Sequence, residues 1–416
     1  MKSYSNYKDS GVKWLGQIPL HWEVRRGRSL FSLNNQGSTS TTKIGLENIE
    51  GFTGKFIPTE STFEGDGVEV EEGDIVYGKL RPYLCKSWLA TFGCNAVGDF
   101  FVFRCHNKNY NKYLHQVFLS PGFTDICNAS TYGAKMPRVS SSFILSLPFP
   151  LPPLSEQLSI VSYLDGKVSA MDRLVLLTQQ KVEHLKALKQ AIIQEAVTTG
   201  IPNKNHILKQ TNIKWIKQIP QHWEEKRAKN MFVRMARPVR EEDEVITCFR
   251  DGEVTLRKNR RTEGFTESFK EIGYQGIRKG DLVIHQMDAF AGAIGVSDSD
   301  GKGTPVYICL QPKIECNNVY YAHLLRVMAY SGYIKSLYRG IRERSSDFRY
   351  ETFARLSLPL PPLSEQEEIV AYLDEKTAKI DLLIDKELQQ IDHIKDLKQT
   401  LIADVVTGKV DVTAKY

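Results

Sequence analysis

The chain has 416 residues, a net charge of +6, 41% hydrophobic and 25% charged residues, the composition of an ordinary globular protein of two or three domains. No apolar run is long enough to cross a bilayer, and the first ten residues are polar with no signal-peptide core, so a reduced, cytoplasmic protein with no membrane partner is expected. The seven cysteines form no Cys-x-x-Cys pair, and Cys105-His106 reads as a buried thiol beside a loop histidine rather than a metal site.

The chain opens on Val12-Lys13-Trp14-Leu15-Gly16-Gln17-Ile18-Pro19-Leu20-His21-Trp22-Glu23. The tryptophans are large apolar anchors, expected to pin this segment to the body of its own domain. His21 follows a proline turn and is expected to make a structural hydrogen bond. From about Gly27 to Leu147, short alternating apolar runs are broken by Gly, Asn and Pro. Asp74-Ile75-Val76-Tyr77 and Phe100-Phe101-Val102-Phe103 read as strands, and Tyr110 to Leu119 as a short helix.

Leu151-Pro152-Pro153-Leu154-Ser155-Glu156-Gln157 follows. The prolines hold the chain extended, Ser155 offers a cap, and Glu156 puts negative charge at a helix start. Leu164, Val168, Met171, Val175, Val182, Leu185 and Ile192 then lie near one stripe. So narrow a stripe over some forty residues, roughly 60 Å of helix, suits a coiled-coil seam. Thr199-Gly200-Ile201-Pro202 supplies the stop.

The plan is then repeated. Ile213-Lys214-Trp215-Ile216-Lys217-Gln218-Ile219-Pro220-Gln221-His222-Trp223-Glu224 copies the opening, and Leu360-Pro361-Pro362-Leu363-Ser364-Glu365-Gln366 copies the helix start. Here Glu367 is placed to complete a capping box with Ser364. Leu373, Ile380, Ile384, Ile391, Ile394, Leu401 and Val405 form the second seam, and the two seams are expected to pack on each other. Between these copied frames, Asp281-Leu282-Val283-Ile284 mirrors the first strand and Tyr320 to Tyr330 the short helix. The intervening residues share little: Gly78-Lys79-Leu80-Arg81-Pro82-Tyr83 stands where the second half has His285-Gln286-Met287-Asp288-Ala289-Phe290.

Motifs for chemistry are missing. There is no Gly-x-x-x-x-Gly-Lys-Ser/Thr loop, no Gly-x-Gly-x-x-Gly loop and no Gly-x-Ser-x-Gly elbow, hence no sign of ATP, dinucleotide or serine-hydrolase use. The Pro-Pro pairs lack the flanking Asn or Asp and aromatic of an amino-methyltransferase tetrad. Asp66, Glu69 and Asp74 are candidates for Mg²⁺ but read as solvated turn residues, and no metal or catalytic residue is assigned.

The remaining signal is basic residues interleaved with aromatic and polar ones. Lys79, Arg81 and Tyr83 follow a strand, with Lys135 and Arg138 later in the same half. The second half offers Arg250, Arg257, Lys258, Arg260 and Arg261, then Arg339, Arg342, Arg344 and Arg349, beside His285 and Gln286. Such loops suit phosphate contact plus base-edge reading: arginine forks guanine and glutamine forks adenine. The competing reading is that individual Lys and Arg residues are merely solvated.

The doubled Lys-Trp-(Leu/Ile)-x-Gln-Ile-Pro-x-His-Trp-Glu opening, Gly73-Asp74-Ile75-Val76 with Lys79-Leu80-Arg81-Pro82-Tyr83-Leu84, and the doubled Leu-Pro-Pro-Leu-Ser-Glu-Gln helix resemble the specificity (S) subunit of type I DNA restriction–modification systems. Arg250-Asp251-Gly252-Glu253-Val254-Thr255-Leu256-Arg257 also resembles one class of that family's recognition domains. The resemblance implies an α+β chain with an internal pseudo-two-fold repeat. Two α/β target recognition domains with twisted β-sheets (residues 1–150 and 201–359) are separated by two long conserved helices (within 151–200 and 360–416), packed as an antiparallel coiled coil that acts as a spacer. It implies a non-catalytic subunit that reads a bipartite site in double-stranded DNA. Two methyltransferase (M) subunits carry S-adenosylmethionine, restriction (R) subunits use ATP and Mg²⁺, and this chain binds no cofactor. The alternatives are a stand-alone DNA-binding regulator with two reading domains, a metal-dependent nuclease built on Asp66 or Asp74, and a coiled-coil adaptor that does not touch DNA.

Overall fold

The structure, a computed structural model, describes residues 2–133, 135–202, 204, 206–260, 272–337 and 348–413; Arg261, Arg339, Arg342 and Arg344 lie outside them. The chain forms two compact units, Met1–Gln180 with Glu387–Tyr416, and Lys181–Lys386.

The first unit is built on an antiparallel sheet with strand order Phe31–Asn34, Phe100–Cys105, Ile75–Gly78, Ser87–Leu89. The central strand Ile75–Gly78 is buried on both faces. Alternation along it sends successive residues to opposite sides. Ile75 and Tyr77 join a core with Phe31, Phe103, Phe118, Phe123 and Phe149, whereas Val76 joins Trp88, Ala96 and Val102. Each such fully buried side chain stabilises the fold by roughly 1.5–3 kcal/mol. The helix Asn111–Phe118 closes the first of these cores.

The second unit repeats this sheet as Phe232–Met235, Tyr307–Pro312, Leu282–His285, Ile294–Val296. Leu282 and Ile284 face one core and Val283 the other. The helix Asn318–Tyr330 takes the place of Asn111–Phe118. Two short antiparallel pairs are copied as well: Tyr7–Asp9 with Gln17–Pro19 returns as Leu208–Gln210 with Gln218–Pro220, and Glu23–Arg26 with Pro148–Leu151 returns as Glu224–Arg227 with Ser357–Leu360. Beyond these, among the described residues, the first unit adds a three-stranded sheet and the second two further two-stranded pairs.

In each unit the tryptophan of the opening segment is an anchor. Trp22 and Trp223 are wholly buried, and their indole N–H groups donate to Glu156 at 2.6 Å and Glu365 at 3.0 Å. His21 and His222 meet the same carboxylates at 2.6 and 2.7 Å, the structural role expected of them. The long helices run Leu154–Thr199 and Leu363–Val406. In the first unit the start of one helix packs with the end of the other, Leu164 sharing a core with Leu401 and Val405. In the second unit Ile193 and Val197 share a core with Ile369 and Leu373, and Val182 packs on Ile380 and Ile384. Gly200, at φ +87°, ends the first helix in the left-handed conformation that glycine permits.

Two expectations are corrected. Ser155 and Ser364 do not cap the long helices but lie inside their first turns. The first helical carbonyls belong to Pro153 and Pro362, which accept from the N–H of Gln157 and Gln366, both at 3.0 Å. A proline lacks only the N–H, which a cap position does not use. The Gln157 and Gln366 side chains instead bind the carbonyls of Pro152 and Pro361, both at 2.8 Å. Asp74 is no solvated turn residue. It is buried under a bidentate Arg104, at 3.0 and 2.8 Å, while Asp66 is exposed. In the second unit the buried Asp281 likewise holds Arg237 and Gln311. Removing one partner of such a buried pair costs about 3–5 kcal/mol, which assigns these arginines to the framework.

Candidate nucleic-acid interface

In the first unit the fold brings the two basic segments together. The backbone of Lys79 to Arg81 runs beside that of Pro137 to Val139: Arg81 N–H donates to Pro137 at 2.8 Å and Val139 N–H to Lys79 at 3.1 Å. Tyr132 and Arg138 exchange both backbone hydrogen bonds at 3.0 Å, forming a short clip that carries Lys135 and Met136 at its exposed tip. Asp99 sits between the cations, 3.2 Å from Arg138 and 3.7 Å from Lys79. These pairs are partly exposed, and such pairs contribute only about 0–1 kcal/mol. They therefore orient Lys79 and Arg138 without withholding them from a stronger anion.

The loop Arg81 to Cys85 is strained. Arg81 and Cys85 both take positive φ, 51° and 45°, a conformation that costs a non-glycine residue roughly 1–2 kcal/mol. The surroundings enforce it: Arg81 is tied to Pro137, Cys85 N–H to Pro82 at 2.8 Å, and Phe52 N–H to Cys85 at 3.0 Å. The result is a rigid turn that presents Arg81 and the 45%-exposed ring of Tyr83.

In the second unit the corresponding strand end carries His285 and Gln286. His285 Nδ1 accepts the N–H of Asp288 at 3.1 Å. Burial holds this imidazole below the usual histidine range, against the opposing pull of Asp288, so the neutral ring keeps its proton on Nε2 as a donor. Arg250 reaches Asp288 at 2.8 Å and is otherwise exposed. Gln286 O accepts Phe348 N–H at 3.0 Å, which brings exposed Arg349 beside the same loop. The Gln286 amide is partly committed, donating to Pro305 at 3.2 Å. Arg257 begins the turn Arg257–Asn259, and its N–H donates to Val245 at 2.8 Å. Arg260, by contrast, is turned to its own loop, bound to Asp251 and Glu253 at 2.7 Å and stacked over Phe249. Arg342 and Arg344 lie outside the described residues.

Two sequence segments, 19–187 and 270–393, match the family model described as the type I restriction modification DNA specificity domain. The chain belongs to this family. A type I restriction enzyme specificity subunit of Escherichia coli, EcoDI, is 27% identical over 44% of the chain, a match that spans 43% of that relative's length. The EcoBI specificity subunit of the same organism is 24% identical over 74% of the chain and 67% of its own length. A solved structure concerned with complex assembly and conformational transition of the type I R-M system shares the fold, with a TM-score of 0.68 at 18% identity, covering 94% of this chain and 99% of that one.

Both specificity-domain matches span copied framework and the strand-end loops, whereas Arg250 and Arg257 fall between the matched segments. The sequence reading missed Asp99, Tyr132 and Asp288. The two acids are distant in sequence from the arginines they hold, Asp99 from Arg138 and Asp288 from Arg250, and no spacing rule marks an acid that orients an arginine through a loop contact. Tyr132 lies close to Arg138 in sequence, but their backbone pairing carries no residue-type signal. Among the described residues no helix is long and apolar enough to cross a membrane.

Proposed function

We propose that this chain is the DNA-reading subunit of a type I restriction–modification assembly. Each unit reads one half of a bipartite site in double-stranded DNA, and catalysis is left to partner subunits. The observation that carries this is one four-stranded framework present twice, with different chemistry at the same strand end: Lys79, Arg81 and Tyr83 in one copy, His285 and Gln286 in the other. A repeated frame with unlike loops is what two unlike half-sites require. In the first unit Arg81 and Tyr83, with Lys79, Lys135 and Arg138, supply the contacts; in the second, Arg250, Arg257, His285, Gln286 and Arg349 do so, joined by Arg342 and Arg344. Arginine and glutamine suit base edges, and lysines suit phosphates.

The packed long helices act in this proposal as an antiparallel coiled coil. In the second helix the buried positions 380, 384, 391, 394, 398, 401 and 405 follow a seam spacing. A stiff spacer fits a bipartite target, because two readers engaged on one face of the duplex stand near one helical turn apart, about 34 Å. The family implies M subunits carrying S-adenosylmethionine and R subunits using ATP and Mg²⁺ as partners, in the cytoplasm, with no cofactor on this chain.

The test is specific DNA binding by the chain assembled with its M subunits. Arg81→Ala and Arg250→Ala should each lose discrimination at a different half-site, by about 1–3 kcal/mol per base contact. Equal loss on every DNA sequence would reduce them to phosphate contacts. A tight, unique footprint from the chain alone at physiological salt would favour the stand-alone regulator instead.

A further inference from the structure

Glu365, in the first turn of the second long helix, faces two histidines of its own unit. His222 Nε2 lies 2.7 Å from one carboxylate oxygen and His206 Nε2 lies 3.7 Å from the other. The second distance is too long for a hydrogen bond. His206 Nε2 and Glu365 Oε1 are both covered from solvent, and neither makes any hydrogen bond. All three ligand atoms lie within 4.8 Å of one another.

The first unit closes the matching site differently. There Tyr4 stands over Glu156 and donates to it at 3.3 Å. Burial and the nearby Glu156 both raise the pKa of that phenol, so it is a proton donor and not a ligand. The second unit has an imidazole in this role, and Gly200 makes room for it. A Cβ at Gly200 would come within 3.0 Å of the His206 ring and 3.4 Å of Glu365 Oε1.

We propose that His206, His222 and Glu365 bind a divalent transition-metal ion of the Zn²⁺ class, with water completing the coordination. Two imidazoles and a carboxylate are the donor set such ions take, whereas Mg²⁺ and Ca²⁺ want six or more oxygens. Bonds of about 2.0–2.2 Å to a tetrahedral ion set ligand atoms roughly 3.3 Å apart, between the two distances found here. Trp223 Nε1 donates to Glu365 Oε2 at 3.0 Å, the outer hydrogen bond that orients a ligating carboxylate. The His222 side chain is 47% exposed, leaving a side open for water and for entry of the ion. The metal would tie the segment before strand Leu208–Gln210, the turn after Gln218–Pro220 and the start of the long helix into one clasp. Both imidazoles must be neutral to ligate, so binding weakens as pH falls.

The test titrates untagged, full-length, metal-free chain with Co²⁺ and then Zn²⁺. The expected result is one equivalent of Co²⁺ with visible bands of a low-coordinate ion, no thiolate charge-transfer band, and displacement by Zn²⁺. Zn²⁺ should raise the thermal midpoint by several degrees. His222→Ala and His206→Ala, each shown by circular dichroism to be folded, should weaken binding at least about tenfold, while Glu156→Gln in the first unit leaves it unchanged. The proposal is overturned if the folded wild-type chain takes up no stoichiometric Co²⁺. It is equally overturned if His222→Ala binds as tightly as wild type, or if the bound ion shows thiolate ligation.

Discussion

His115 is enclosed on the helix Asn111–Phe118, and burial pushes its pKa down to about 4, against the opposing hydrogen bond to the Ser87 backbone. Its Nε2 has no hydrogen-bond partner. In the unfolded chain the same ring titrates at about 6.5. Between pH 6.5 and about 4, the unfolded chain therefore takes up a proton that the folded chain refuses. Stability is complete above this window and is lost as pH falls through it, by at most about 1.4 kcal/mol for each pH unit. His115→Leu removes this contribution, so urea denaturation at pH 7 and pH 5 should show a smaller difference than wild type. An unchanged difference would move the acid sensitivity elsewhere. The same contrast between buried and exposed groups sorts the arginines. Arg104 and Arg237 belong to buried pairs and hold the fold, while Arg81, Arg250 and Arg349 stand at the surface where a ligand can reach them.

At the scale of elements, ion pairs join the long helices among the described residues: Lys189 with Asp381, at the exposed edge of the packing, and Lys398 with Asp172, which is more covered. Lys398, 9% exposed, reaches Asp172 at 2.8 Å, and Lys55 reaches the same carboxylate at 2.6 Å. Partial burial works to raise the Asp172 pKa, yet Lys398 and Lys55 hold it below the usual carboxylate range. Desolvation offsets much of the attraction in such a pair. Asp172→Ala leaves a covered ammonium with no counter-charge and should cost about 1–3 kcal/mol in chemical denaturation. The double replacement Asp172→Leu with Lys398→Leu should be neutral or stabilising. If the double variant is as unstable as the single one, the pair contributes more than orientation. A covered polar contact among apolar packing positions is a device for selecting helix register, so the double variant should also show broader, less cooperative unfolding.

For the whole molecule, the chain is one plan used twice, and the proposed division of labour gives each copy its own half-site. Inserting seven residues into both long helices keeps the seam in phase and adds about 10 Å of helix, close to three base pairs of duplex. The tolerated gap between half-sites should lengthen by about that amount, read by mapping methylated adenines in cells carrying the altered chain with its partners. An unchanged gap would refute the spacer role.

The order of elements, the duplication, both long helices and the anchoring tryptophans were legible in the amino-acid sequence, because local periodicity and copied residues report on single elements. The family was legible for the same reason: its marks lie in the frame. The helix starts were misread by two residues, since Pro153 and Pro362 supply the first carbonyls and leave Ser155 and Ser364 inside. Asp74 was misread as solvated because its burial depends on Arg104, thirty residues away on a neighbouring strand. The meeting of Lys79 to Tyr83 with Lys135 and Arg138, the strained turn at Arg81, and the convergence of His206 and His222 on Glu365 were decided by tertiary structure alone. Each is a contact between segments far apart in the chain, and nothing in local spacing encodes which distant loop a given loop will meet.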